Sequence, residues 1–340
     1  INIMSKLLTI VVPVYKVEQY INKCLDSCII YTTDENGNRV LDEELMDQLE
    51  VIIVNDGTPD NSAELSREYT IRYPQTFRQI DKENGGHGSA WNVGVKEATG
   101  KYLRFLDSDD WLTNLDLLME KLQDCEADLV FTNEEVYYAE ENRSERQFCS
   151  NVYDKVIDIK DVEILEVLKD RNAINFRKCT YLTHIIQQQY PLFREKVSYD
   201  DTILYAAPFK YATKYIAYNF VVYNLLRGRD EQSMNPKVLQ KKADQLLIAY
   251  IDLQNYIAKM DYMPTLENIL RINEKSSFLY VISIITQLPY RRRKELINSL
   301  IDNVPNNISF SKQLKRYKRW PFIFAYMSPF DLYVMSPSTK

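Results

Sequence analysis

Residues 102–110 read YLRFLDSDD: a strand-like run, Tyr102 to Leu106, passing directly into the carboxylates Asp107, Asp109 and Asp110. The apolar run reads as a buried strand, and the acids gather at its carboxyl end, where open α/β sheets bind their ligands. Two like charges about 4 Å apart repel by roughly 4 kcal/mol at an effective dielectric near 20, so such a cluster normally exists to hold a cation. The competing reading is a solvated turn in which one Asp caps the next helix.

Working outward, Leu7 to Val14 (LLTIVVPV) and Val51 to Val54 (VIIV) are continuous β-branched runs, the pattern of strands buried on both faces. Helical spacing lies between and after them: Tyr20, Ile21, Cys24, Leu25 and Cys28 within 18–29, then 63–73, then 90–98 closed by Gly100. Asn61 and Glu64 have capping-box spacing. Leu115 to Leu122 and Leu129 to Thr132 continue the alternation. The order β, α, β, α, β, α, β predicts an α/β fold with a doubly wound, mostly parallel sheet flanked by helices. Residues 32–48, acidic and carrying Asn36, Gly37 and Asn38, read as a surface insertion. The stretch 179–226 is rich in tyrosine. Beyond Pro236, Leu239, Ala243, Leu246, Leu247, Tyr250 and Leu253 recur at helical spacing and predict a helical C-terminal region.

The chain of 340 residues is long enough to bury a sizeable core. Its 45% hydrophobic and 26% charged residues exclude a fibrous or wholly disordered chain. A net charge of -6, from 42 Lys and Arg against 48 Asp and Glu, disfavours bulk binding to nucleic acid. Five scattered cysteines without a CxxC pair indicate neither a zinc knuckle nor a disulfide framework and suit a reducing compartment. Two histidines, His87 and His184, cannot build a His-rich metal site, so a catalytic metal must be held by oxygen ligands, which points to Mn2+ or Mg2+. No apolar run reaches the roughly 18 residues needed to span a bilayer. The segment 7–14 lacks a small-residue cleavage site after it and reads as a strand rather than a signal peptide. Ile1, Asn2 and Ile3 read as additions ahead of a natural start at Met4.

Seven of the eight glycines fall within the first hundred residues, so the demanding backbone geometry is expected there. Residues 82–89, KENGGHGS, form a Gly-rich loop opening a helix, able to present N–H groups to phosphate oxygens. Its spacing is neither GxGxxG nor GxxxxGK[ST], which removes the dinucleotide and P-loop readings. His87 reads either as a phosphate contact or as a structural residue. Asp56 ends the second strand, placed either to accept from a nucleobase or ribose or to begin a turn. Asp200 and Asp201 read either as a catalytic pair or as helix caps.

Four ordered motifs, IVVPVY (10–15), VIIVNDG (51–57), ENGGHGSAWNVG (83–94) and FLDSDDW (105–111), together resemble the inverting nucleotide-sugar glycosyltransferases of family 2, which have the GT-A fold. The likeness extends more loosely to Ser198, Tyr199, Asp200 and Asp201, similar to the family's Glu-Asp pair, with Asp200 in place of the usual Glu. The resemblance implies a GT-A catalytic domain over 1–234, with a nucleotide-sugar half at about 1–132 and an acceptor half at about 133–234, followed by the helical region 235–340. It implies that Pro13, Val14 and Tyr15 line the base pocket, that Asp56 bonds the uracil and that Asp107 lies near the ribose and diphosphate. Glu18, Asn84, Gly85, His87, Ser108 and Arg229 join the nucleotide-sugar site, with Arg227 and Arg229 on a segment that closes over the diphosphate. Asp109 is implied as the metal ligand, Asp201 as the catalytic base and Asp200 as its neighbour in the catalytic pair, while Trp91 stands where many members carry Arg.

The expected reaction is metal-dependent, inverting transfer of a sugar from a nucleotide donor, a UDP-sugar, to a glycan or lipid-linked acceptor in cell-surface polysaccharide synthesis. The alternative is a catalytically silent relative serving as a membrane-associated assembly subunit. Arg291, Arg292, Arg293 and Lys294, then Lys315, Arg316, Lys318 and Arg319 followed by Trp320, Phe322, Phe324 and Tyr326, suit either an anionic membrane surface or a tail packed on the catalytic domain or on a second subunit. The expected location is the cytoplasm, with peripheral contact to the inner face of the membrane through this tail and a homo-oligomer as the other use of it.

Overall fold

The computed structural model describes residues 6–303 except 163–165, 167, 169–173 and 229–231. Arg229, Met4 and the basic, aromatic stretch 315–326 lie outside the described residues.

The strands are β1 (Leu8–Val14), β2 (Tyr31–Thr33), β3 (Arg39–Leu41), β4 (Leu49–Asn55), β5 (Phe77–Asp81), β6 (Tyr102–Phe105), β7 (Trp111–Leu112), β8 (Leu129–Tyr138), β9 (Arg143–Gln147), β10 (Ile157–Asp158), β11 (Cys179–Leu182) and β12 (Lys214–Arg227). The main sheet runs β10-β12-β8-β11-β6-β1-β4-β5, with β7 on β12 and β9 on β8. Strands β6, β1, β4 and β5 are mutually parallel, as are β8 and β12. Between these two groups β11 pairs antiparallel with both β6 and β8. All seven residues of β1 are buried, which is why a run without polar alternation is stable only at the centre of a sheet covered on both faces.

The helices are α1 (Ile21–Asp26), α2 (Glu43–Gln48), α3 (Ser62–Arg72), α4 (His87–Glu97), α5 (Leu115–Gln123), α6 (Thr183–Gln187), α7 (Pro236–Lys241), α8 (Ala243–Lys259), α9 (Glu267–Ile285) and α10 (Tyr290–Asn303). The last four form the expected helical region, with Leu246, Leu247, Tyr250, Ile282 and Leu300 in a core of their own. No helix among the described residues is long and apolar enough to cross a membrane.

The surface insertion 32–48 carries most of the β2–β3 hairpin and then α2, whose start is capped by Asp42 accepting from Leu45 N at 3.0 Å. One expectation changes. Asn61 makes no side-chain cap at α3. The neighbouring Asp60 does so, its Oδ1 accepting from Ser62 N at 3.2 Å and Ser62 Oγ at 2.6 Å. Asp60 also holds Thr58 Oγ1 at 2.6 Å, so one carboxylate organises the whole turn after β4.

The chain passes from β1 outward to β4 and β5, then returns to place β6 on the other side of β1. That reversal opens a crevice at the carboxyl ends of β1, β4 and β6, the place where such sheets take ligands.

Candidate active site

The end of β4 delivers Asp56, which is buried. Its carboxylate accepts from Lys82 Nζ at 2.7 Å and from the backbone N–H groups of Gly85 and Gly86, each at 2.8 Å. Asn84 Nδ2 donates to the Asp56 carbonyl at 2.9 Å. Gly86 has φ +86°, a conformation costly for a side-chain-bearing residue, and it allows both N–H groups to converge on one carboxylate. Asp56 therefore anchors the Gly-rich loop that opens α4. Tyr15, 44% exposed, extends from the end of β1, beyond the buried Pro13 and Val14. Lys16 after it is left-handed at φ +56°. Glu18 ties the turn after β4, its Oε2 accepting from Asn61 N at 3.2 Å.

The turn after β6 brings one ligand atom each of Asp107, Asp109 and Asp110 within 4.8 Å of one another. Ser108 is buried between them. Asp110 is fixed from β12: Tyr223 Oη donates to its Oδ2 at 2.6 Å and Leu226 N to its Oδ1 at 2.8 Å. Burial, then the charge of Asp107, pushes the Asp110 carboxyl up to about 7, against the pull of those two hydrogen bonds. Asp107 and Asp109 are the more exposed pair of the cluster.

His87, at the start of α4, joins this turn to the acid pair far along the chain. Its Nε2 lies 3.1 Å from Asp107 Oδ1, and its Nδ1 lies 3.2 Å from both oxygens of Asp200. Burial disfavours the charged ring, but the carboxylates of Asp200 and Asp107 outweigh it and raise the His87 pKa well above its ordinary value. The ring rests on Trp91 at a centroid distance of 4.1 Å, and Trp91 is fully buried against Phe105, Phe176 and Phe193. Trp91 is thus the floor beneath His87, in a position where its indole is enclosed by other rings.

Asp200 and Asp201 open a 3-10 helix, Asp200–Tyr205, immediately after Tyr199, whose φ of +68° is unusual for an aromatic residue. Strain of this kind concentrates at functional sites. Burial, then the charge of Asp200, pushes the Asp201 carboxyl up to about 6, with His87 and Arg177 opposing. The segment leading to the pair is stitched to α4 and its loop. Asn92 accepts from Leu192 N and Phe193 N at 3.1 and 3.0 Å and donates to Phe193 O at 2.7 Å, while Lys196 N donates to Gly85 O at 2.7 Å. Gly88 fits in the same seam: a Cβ there would come 2.6 Å from Arg194 O and 2.8 Å from Asp200 Oδ2.

The sequence pattern does not reveal a further group of charges, in which Glu134, Lys178 and Arg104 are buried and Arg177 is partly exposed. Arg177 Nε meets Glu134 Oε2 at 2.7 Å and Lys178 Nζ lies 3.5 Å from Glu134 Oε1. Burial would raise the Glu134 pKa, but Arg177 and Lys178 hold it below the usual value. Arg104, fully buried on β6, donates to Thr180 Oγ1 at 2.7 Å and to the Arg177 carbonyl. A polar residue inside the apolar run YLRFL was the one available signal for it.

The profile of Glycosyl transferase family 2 matches residues 9–200. Glycosyltransferase GlyA of Streptococcus pneumoniae serotype 4 is 36% identical over 168 residues, 47% of this chain and 21% of GlyA. The uncharacterized glycosyltransferase EpsJ of Bacillus subtilis is 26% identical over 268 residues, 78% of this chain and 66% of EpsJ. The chain therefore spans less than two thirds of the length of either relative. Among solved structures, S. aureus TarS superposes with a TM-score of 0.62 at 15% identity, covering 94% of this chain and 54% of that one. TarS 1–349 in complex with UDP-GlcNAc gives 0.52 at 16% identity, covering 92% and 91%. The mannosyltransferase PcManGT from Pyrobaculum calidifontis, in complex with GDP-Man and Mn2+, gives 0.52 at 15% identity, covering 98% and 89%. These likenesses establish the GT-A fold. With its family profile spanning more than half of its length, and with that fold around the crevice, the chain belongs to glycosyl transferase family 2.

Proposed function

We propose that this chain transfers a sugar from a nucleotide donor, a UDP-sugar, to a glycan or lipid-linked hydroxyl acceptor in cell-surface polysaccharide synthesis, inverting the anomeric configuration. The observation that carries the reading is the meeting of the Asp107–Asp110 turn with Asp200 and Asp201 across the single ring of His87. The UDP-GlcNAc complex of TarS and the GDP-Man complex of PcManGT support a nucleotide-sugar donor.

The donor set suits a hard divalent cation, because carboxylate oxygens converge and no histidine or cysteine nitrogen or sulfur joins the described cluster. Asp109, with Asp107 beside it, would hold Mn2+ or Mg2+, since both Asp110 oxygens are occupied by Tyr223 and Leu226. Bound there, the ion supplies Lewis-acid neutralisation of the diphosphate leaving group. The Mn2+ of PcManGT supports this assignment.

The remaining steps belong to the chain's own residues. Asp201 removes the proton of the acceptor hydroxyl as that oxygen bonds to the anomeric carbon, and the bond from that carbon to the phosphate oxygen breaks with its electron pair leaving on the nucleotide. Its raised pKa, near 6, makes it a stronger base than an ordinary carboxylate while it stays ionised at neutral pH. Asp200, held by His87, positions the pair. Tyr15, with Pro13 and Val14, would receive the base, with Asp56 at the uracil, and Asn84, Gly85 and Ser108 would shape the rest of the nucleotide-sugar pocket. We further assign the nucleotide-sugar half to about 1–132, the acceptor half to about 133–234 and a C-terminal region to 235–340, of which the described part carries helices α7 to α10. UDP release from UDP-sugars, measured with and without MnCl2, tests the proposal. Absence of UDP release under any donor and metal would overturn it.

A further inference from the structure

We infer that Arg177 is a phosphate-binding residue of the cleft, an inference that rests on the sugar-transfer reading of the same site. Arg177 lies on the 3-10 helix Phe176–Lys178 ahead of β11. Its Nε is pinned to Glu134, which is 1% exposed, yet the Arg177 side chain itself is 19% exposed, so the outer edge of the guanidinium reaches open space. Among the described residues its Nη1 and Nη2 atoms have no hydrogen-bond partner, and neither is a buried orphan. The guanidinium carbon lies 5.3 Å from the Phe176 ring, and that ring packs at 4.9 Å on Trp91, the residue beneath His87, so the group sits close to the elements that carry both acid clusters. Phe176 beside it touches the Tyr223 ring at 6.0 Å, on the same side of the sheet.

Neutralising Glu134 does not account for Arg177. Lys178, 1% exposed, also lies against that carboxylate, and of the two cations beside Glu134 it is Arg177 that reaches solvent. A planar guanidinium with one nitrogen committed and an edge open matches two oxygens of a phosphate, a geometry an ammonium does not offer. The phosphate comes from the donor diphosphate or from a phosphate-bearing acceptor. Both present the same chemistry to the guanidinium.

The test uses the full chain and the variants Arg177→Gln, Arg177→Lys and Glu134→Gln/Arg177→Gln, the last leaving no buried carboxylate deprived of its arginine. Calorimetry with MnCl2 present measures binding of UDP, uridine and sn-glycerol 3-phosphate. The expected result is a roughly ten- to hundredfold loss for a phosphate-bearing probe in both Gln variants, partial retention in Arg177→Lys and no change for uridine. Loss for UDP assigns the donor diphosphate; loss for glycerol phosphate alone assigns the acceptor. A lowered melting temperature with UDP and glycerol phosphate binding both unchanged would make Arg177 structural only and overturn the inference. UDP release from UDP-GlcNAc by the unaltered protein is read alongside: its absence overturns the transfer reading itself, whereas its presence with unchanged phosphate binding in the Gln variants overturns this inference alone.

Discussion

Tyr223 on β12 donates a 2.6 Å hydrogen bond to the buried carboxylate of Asp110, tying a strand near residue 220 to the acidic turn that follows β6. The same hydroxyl accepts from Asp107 N at 3.2 Å, so one phenol shapes two corners of the turn. Tyr223→Phe removes both bonds and leaves Asp110 with the Leu226 N–H. Hydrogen bonds to charged groups contribute about 1.5–3 kcal/mol, and a loss of that order in urea unfolding is expected. An unfolding midpoint equal to that of the unaltered protein would show that the bond contributes nothing.

Asp201 governs the acid limb of the pH profile. The base acts ionised, and its carboxyl is pushed up to about 6, so kcat/KM should rise with pH through about 6 and level off above it. The sign for stability is opposite. Between the ordinary carboxylate value near 4 and about 6, the folded state holds a proton that the unfolded chain has released, so this group's contribution to stability falls as pH rises across that window. Asp201→Asn should remove the acid limb along with most of the activity. A variant that kept both would exclude Asp201 as the base.

Asp109→Asn should lower turnover by roughly a hundredfold or more, the loss expected when a Lewis acid worth several kcal/mol is no longer held. Excess EDTA should reproduce the effect on the unaltered protein. Thermal unfolding separates a lost ion from a lost fold, since Asp109 is among the more exposed acids of its cluster and its substitution should shift the melting temperature little.

Gly88→Ala probes the seam between α4 and the segment leading to Asp200. The added methyl would meet Arg194 O at 2.6 Å and Asp200 Oδ2 at 2.8 Å, with backbone on one side and a clamped carboxylate on the other. Overpacking of this kind costs typically 1–3 kcal/mol. Activity should fall further than stability, because the displaced atom belongs to the carboxylate that His87 holds. Crystals of the variant with an unmoved Asp200 and full turnover would refute the coupling.

The central strands and the acidic turn were legible because each is local: β1 and β4 declare themselves by unbroken β-branched runs, and YLRFLDSDD joins strand to carboxylates without a gap. Strand β5 was not, since FRQID carries three polar residues, which an edge strand half open to water tolerates. Strand β11 escaped for another reason: its short CTYL run enters the sheet between β6 and β8 antiparallel to both, a placement fixed by partners some 50 to 80 residues earlier. Glu134 and Arg177 are separated by 43 residues and His87 and Asp200 by 113, so no spacing in the chain announces either pair. The Asn61–Glu64 spacing looked like a cap, but it is Asp60, one residue earlier, that takes the first N–H of α3, that of Ser62.

The stitching of Asn92 to Leu192 and Phe193, of Lys196 to Gly85 and of His87 to both Asp107 and Asp200 leaves this crevice a slot of fixed width rather than a pair of jaws. Widening the crevice would require these bonds to break together, which ties the spacing between the acidic turn and the acid pair to the integrity of α4.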